Sequence, residues 1–173
     1  MASKLTPAVH DQDHARGIAS AKIEIVEFGD YQCSYCGDAH PILQEIEDTF
    51  GDQIRFVFRH FPLQNAHQYA IPAAFAAEAA GLQNKFWAMH DALFNNQHRL
   101  STEIFDELAT SIGIDLGQFN TDRESEGVKN KVETDFESGM RSGVNGTPSF
   151  YVNGEKFDGG VQDLYAMLKE SAE

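Results

Sequence analysis

Cysteine is scarce in this chain, with only two among 173 residues. A chain of this length buries about 70% of its unfolded surface and needs no disulfide staples, so a purely structural role is a poor account of the pair. Basic residues are also few. The 13 Lys and Arg face 27 Asp and Glu, for a formal net charge of −14. Such a surface repels phosphate backbones and anionic lipid, which argues against a nucleic-acid or membrane-surface protein. No apolar run reaches the roughly 18–20 residues needed to cross a bilayer. The segment from Met1 to Ser20 carries Lys4, His10, Asp11, Asp13, His14 and Arg16 and has no apolar stretch of the signal-peptide kind. Read as it stands, the sequence points to the cytoplasm; a removed leader would make it periplasmic or otherwise extracytoplasmic. Internal repeats, low-complexity tracts and linkers are absent too, so residues 1–173 read as a single domain.

What is present is an alternation of strand and helix signals. Residues 1–21 are polar, lack periodicity, and read as an arm. Ile23 to Phe28 is a nearly continuous apolar strand of the doubly covered kind. Residues 34–50 form a helix with Ile42, Leu43, Ile46 and Phe50 on its apolar side, and Pro41 is expected to kink it. Residues 53–60 give a second strand. From 67 to 141 the pattern is helical: an alanine-rich stretch stopped at Gly81, a helix over 84–97, one capped by Ser101, a short piece near Leu116, and a last helix with a Val128, Val132, Phe136 and Met140 stripe. Ser149 to Asp158 is a β-hairpin around Asn153-Gly154, the strongest short turn signal. A final helix carries Val161, Leu164, Tyr165 and Leu168. The order βαβ, helical block, ββα predicts an α/β fold with a mixed sheet, parallel at first and antiparallel at the hairpin.

Cys33-Ser34-Tyr35-Cys36 falls directly after the first strand and opens a helix. At that junction unpaired N–H groups and the helix dipole favour a thiolate on Cys33. Cys36, one turn further, is placed to attack a mixed disulfide formed at Cys33. The other reading is metal binding by Cys33, Cys36 and His40, against which stands the lack of a second ligand pair. Glu27 shares a strand face with Ile23 and Ile25. It is either a buried acid beneath the cysteines, able to exchange a proton with Cys36, or a strand-end carboxylate reaching solvent. Thr147-Pro148, just before the hairpin, is a candidate cis bond that would expose the Thr147 backbone to an incoming peptide. His60, His67, His90 and His98 read as core or boundary residues.

Four segments together resemble the DsbA-like branch of the thioredoxin superfamily: Val26–Cys36, Phe58–Leu63, Lys85–His90 and Gly143–Phe150. The resemblance implies a thioredoxin fold, halves at 22–62 and 143–171 and a helical subdomain inserted over 63–142. It implies thiol–disulfide exchange by Cys33 and Cys36 with Glu27 as the buried acid. Thr147, cis-Pro148, Ser34 and Tyr35 are its substrate-contacting residues. The dipeptide Ser-Tyr between the cysteines matches neither the Pro-His of strong oxidants nor the Gly-Pro of reducing thioredoxins, which leaves the reaction direction open. Expected partners are protein or peptide thiols and disulfides and a redox partner that recycles the pair. No metal or other cofactor is expected, and the chain is expected to be a monomer. The alternative function is a metal-binding or chaperone-like module on the same fold, without redox turnover.

Overall fold

Val26 and Phe28 face one side of their strand, Ile25 and Glu27 the other, and both sides are fully covered. That is why the segment reads apolar without alternation. It is the middle of the protein, whose computed structural model describes residues 3–171. In chain order the strands are β1 His14–Arg16, β2 Ile23–Gly29, β3 Ile54–His60, β4 Ser149–Val152 and β5 Glu155–Phe157. The helices are α1 Ser34–Phe50, α2 Ala70–Gly81, α3 Phe86–Asn95, α4 Ile104–Ser111, α5 Leu116–Arg123, α6 Glu126–Ser142 and α7 Val161–Ser171. The five-stranded sheet has the order β1-β3-β2-β4-β5. β2 and β3 are parallel, and the other pairings are antiparallel. This is the mixed α/β sheet expected of a thioredoxin fold.

Two cores lie on its two faces. The larger joins Ile25, Phe56 and Phe58 to α1, α7 and the helices α2–α5. Small alanines make α2 compact enough to pack deep within it: Ala73, Ala76, Ala77, Ala79 and Ala80 have no exposed surface. The smaller core gathers Val26, Phe28, Val57 and Tyr151 beneath Leu5, Phe61 and Val144, with Phe136 of α6 alongside. Pro41 sits inside α1 without ending it. The hairpin turn has positive φ at both Asn153 and Gly154, as the Asn-Gly signal requires.

Three local expectations differ from the structure. Residues 1–21 are more than an arm, because β1 pairs with β3 and Leu5 is buried. The strand is short, with Ala15 alone apolar between His14 and Arg16, so it leaves no apolar period; His14 instead stacks on Phe86 and Arg16 lies over Trp87. Ser101 does not cap α4, whose N-cap position is Glu103 with no side-chain bond. Met140 is exposed, whereas Val128 and Val132 are buried. Steps of four residues drift about 40° each on a helix of 3.6 residues per turn, so the stripe has rotated off the core by its fourth member.

The N-terminal segment is tied down by a buried ion pair. Arg59 on β3 donates from Nε and Nη2 to the two carboxylate oxygens of Asp13 at 2.9 and 2.8 Å. Its remaining donors reach Pro7 O, Ala8 O and Ser138 Oγ. Every donor direction of a guanidinium that is only 1% exposed is thereby used. Removing one partner leaves a charge buried alone, at about 3–5 kcal/mol. Asp13→Ala is therefore expected to lower urea-unfolding stability by that amount, and an effect under about 1 kcal/mol would show that the arm is not fixed by this pair.

Candidate redox site

The end of β2 and the start of α1 place the two sulfurs. Asp30 organises the turn between them. Its Oδ1 accepts from Gln32 N at 2.8 Å, and its Oδ2 accepts from Leu63 N at 3.0 Å and meets His67 Nδ1 at 2.7 Å. Cys33 then occupies the N-cap of α1 in extended backbone, with no acidic residue in the first turn to compete for the free N–H groups. Cys36 lies one turn inward and has no exposed surface, while Cys33 retains 5%. Both are free thiols.

The environment separates the two thiols. The Cys36 side chain hydrogen-bonds Cys33, which is the largest cause of its acidity; the Thr147 side chain and the N–H groups of Cys36 and Tyr35 add to it. Against the opposing effect of burial, these bring Cys33 from 9.0 down to about 5. As a thiol, Cys33 Sγ donates to Thr147 O at 3.5 Å. As a thiolate it needs donors instead, and the Thr147 hydroxyl is buried with no hydrogen-bond partner of its own. Cys36 is pushed well above 9.0, first by burial, then by the bond to Cys33 and the charge of Glu27.

Glu27 is the buried acid of the two sequence readings, and it does not reach solvent: it is 1% exposed. Its neighbours in register on β3 and β4 are Phe58 and Phe150. Its Oε2 has no hydrogen-bond partner. Burial, then the charges of Cys33 and Glu47, raise its pKa from 4.5 to about 8.

Thr147, Pro148 and Tyr35 line a cleft of about 430 Å³ beside Cys33, floored by Ala39, Ile42 and Val161 and rimmed by Asp38 and Asp163. Tyr35 is 72% exposed, and the Thr147–Pro148 bond is cis. Ser34 is exposed at the first position of α1 and is not among the residues lining the cleft.

Other contacts left little trace in the sequence. Gln97 reaches over from the helical block and donates through Nε2 to Tyr31 O at 2.9 Å and Cys33 O at 2.8 Å. It packs against Gly37, where a side chain would collide with it. The fully buried Tyr31 hydroxyl lies 2.9 Å from His90 Nδ1. Nothing in a lone Gln or His announces such a role. His40, the candidate third ligand beside the cysteines, is grouped instead with His90 and Asp91.

A thioredoxin-fold protein with a two-cysteine turn at the N-terminus of its first long helix is what this geometry defines. Comparison with known proteins agrees. A family model described as thioredoxin matches residues 10–170. A thioredoxin-like oxidoreductase from Silicibacter pomeroyi superposes with a TM-score of 0.79 at 27% identity, covering 94% of each chain. The thiol-disulfide exchange protein α-DsbA2 from Wolbachia pipientis superposes at 0.80 with 21% identity over 92% of this chain and 87% of its own, a likeness of fold alone. Among curated sequences, the Na(+)/H(+) antiporter NhaA 1 of Mycolicibacterium vanbaalenii is 40% identical over 157 residues, 90% of this chain but 25% of that protein. The chain thus spans about a quarter of the length of the curated relatives it matches. Among the described residues no helix is long and apolar enough to cross a membrane. The chain belongs to the thioredoxin family.

The raised pKa of Glu27 has a consequence for stability. The unfolded carboxyl ionises near 4.5 and the folded one near 8. Below 4.5 both are protonated and burial costs nothing through ionisation. Between 4.5 and 8 the unfolded state gains charge that the folded state resists, so stability falls as pH rises. Glu27→Gln is expected to gain stability over the parent progressively from pH 5 to pH 8 in thermal unfolding. A difference independent of pH would contradict the burial argument.

Proposed function

We propose that the protein is a thiol–disulfide oxidoreductase in which Cys33 exchanges with clients, Cys36 closes or opens the internal disulfide, and Glu27 carries the proton. The observation that carries this reading is the unequal pair itself: an acidic sulfur at the helix N-cap bonded to a buried, weakly acidic one. One neighbour in structure, at 27% identity, is a thioredoxin-like oxidoreductase, which supports the general chemistry.

The acidity of Cys33 favours one direction. At pH 7 a thiol with a pKa of about 5 stabilises the dithiol state by about 3 kcal/mol relative to one of 9, equivalent to about 60 mV. The disulfide form is then the better oxidant. A client thiolate attacks Cys33 Sγ; the Cys33–Cys36 bond breaks and Cys36 leaves with the electron pair. Glu27, protonated at neutral pH, supplies the proton Cys36 needs. A second client thiolate attacks the client sulfur of the mixed disulfide, and Cys33 leaves as the stabilised thiolate. The client is oxidised by two electrons, the pair is reduced by two, and a redox partner must reoxidise it. Thr147 and Pro148, with Tyr35 lining the same cleft, hold the client backbone beside Cys33 in extended form. Ser34 adds a hydroxyl at the rim of the turn. The redox chemistry is proposed for the matched segment alone, working as a monomer on protein or peptide thiols in either compartment the sequence allows.

The tests follow from these roles. Thiolate absorbance of the reduced protein should titrate with a midpoint near 5 and disappear in Cys33→Ser. Oxidation of reduced ribonuclease should be lost in that variant, while Cys36→Ser should accumulate mixed disulfides with the client. The potential of the pair should lie above about −200 mV; a value near −270 mV would make the protein a reductant.

A further inference from the structure

One turn along α1 from Cys36, three side chains converge that the exchange chemistry does not use. His40 comes from α1, and His90 and Asp91 come from α3. A ligand atom from each lies within 4.8 Å of the other two. His40 and His90 are 4% and 1% exposed. His40 Nε2 and Asp91 Oδ1 are both buried, and neither has a hydrogen-bond partner. They face each other at 3.6 Å.

That separation is too long for a hydrogen bond, which for N–H and O lies at about 2.7–3.2 Å. It is close to the distance between two ligands of one metal. With bonds of about 2.0–2.1 Å and tetrahedral angles, the ligand–ligand edge is about 3.4 Å. The surroundings also fit a metal centre. Tyr31 Oη is 2.9 Å from His90 Nδ1. With Nδ1 donating there, Nε2 is left free, the arrangement metal-bound histidines commonly show. Arg16 Nη1 holds the other Asp91 oxygen, Oδ2, at 3.5 Å. Its own charge is largely matched by Glu47, to which it donates through Nε and Nη2 at 2.8 Å each. Arg16, Gln44, Glu47 and Asp48 line an open cleft of about 420 Å³, in which Asp48 is the carboxylate left over once Arg16 and Glu47 pair.

We propose that His40, His90 and Asp91 form a binding site for a divalent transition-metal ion of the zinc type, with water as fourth ligand. The donor set of two imidazoles and one carboxylate suits zinc or cobalt rather than calcium or magnesium. The ion would tie α1, which carries the cysteines, to α3 of the helical block. This site is separate from the Cys33 and Cys36 pair and does not depend on the redox reading.

Cobalt(II) titration of a Cys33→Ser, Cys36→Ser double variant removes thiol ligation from the experiment. One equivalent should bind with the intense visible d–d absorption of a four-coordinate site, and zinc should displace it. Zinc should also raise the unfolding temperature of this variant. His40→Gln should weaken cobalt binding at least about tenfold and abolish the zinc-dependent shift. Asp91→Asn, an isosteric change at a side chain 32% exposed, should do the same. Absence of saturable binding overturns the proposal, as does binding that both substitutions leave unchanged, which would place the ion on surface histidines.

Discussion

The acidity of Cys33 rests on donors gathered around one sulfur, the Cys36 thiol foremost, then the Thr147 side chain and the first-turn N–H groups of α1. The sulfur sits at the N-cap, where the first-turn N–H groups have no intrahelical acceptor, and no acidic side chain in that turn competes for them. The Cys36 thiol and the Thr147 side chain complete the set of donors. Each comes from a different part of the chain: the helix itself and the turn before β4. The sheet makes them neighbours, because β4 pairs antiparallel with β2 and brings residues 147 and 148 to the end of the strand that leads to Cys33. A shift of that register would move the Thr147 donor away from the sulfur while leaving the sequence motif intact.

The rest of the molecule holds this junction still. Asp30 bonds the turn on one side to Leu63 and His67 on the other. Gln97 bridges the carbonyls of Tyr31 and Cys33 from the helical block. The block therefore grips the site through backbone carbonyls, which any residue could supply at those positions. Glu78 of α2 meets both His14 of β1 and His60 of β3 through one oxygen, at 2.7 and 2.8 Å. With Arg59 and Asp13 this makes a second polar tie between the N-terminal segment and the sheet. Both ties are buried, where unpaired charge is costly, so they specify one position for β1.

The legible parts of the fold were those whose physics is local. The Asn153-Gly154 turn needs positive φ twice, and a cysteine pair opening a helix declares its own electrostatics. The apolar run of β2 signalled burial on both faces. The illegible parts depend on residues far apart in the chain. β1 is held by side-chain ends reaching Glu78, Glu47 and Asp13's partner Arg59, none of which a local window contains. Gln97 looked like any loop glutamine. The spacing set His40 beside the cysteines, whereas the packing of α1 on α3 also groups it with His90 and Asp91, neighbours no local window contains. The same drift of 3.6-residue helices that exposes Met140 limits any reading made in steps of four.

Glu27 shows why burial rather than pairing sets the proton balance of the site. Phe58 and Phe150 are its register neighbours, and its Oε2 lacks a partner, so nothing offsets the cost of charging it. The same site lowers Cys33 to about 5 and lifts Glu27 to about 8. At neutral pH the reduced pair then carries one negative charge, on the sulfur, and one stored proton, on the acid. Surroundings that drive two groups apart in this way fit the proposed roles, the sulfur as leaving anion and the carboxyl as acid to the second sulfur. A cation beside Glu27 would reverse this, ionising the acid and leaving Cys36 without a proton source as the disulfide opens. Of the two carboxylates in β2, Glu24 reaches toward Arg55 at 3.7 Å, whereas Glu27 is enclosed by an apolar frame, the arrangement the proposed proton transfer needs.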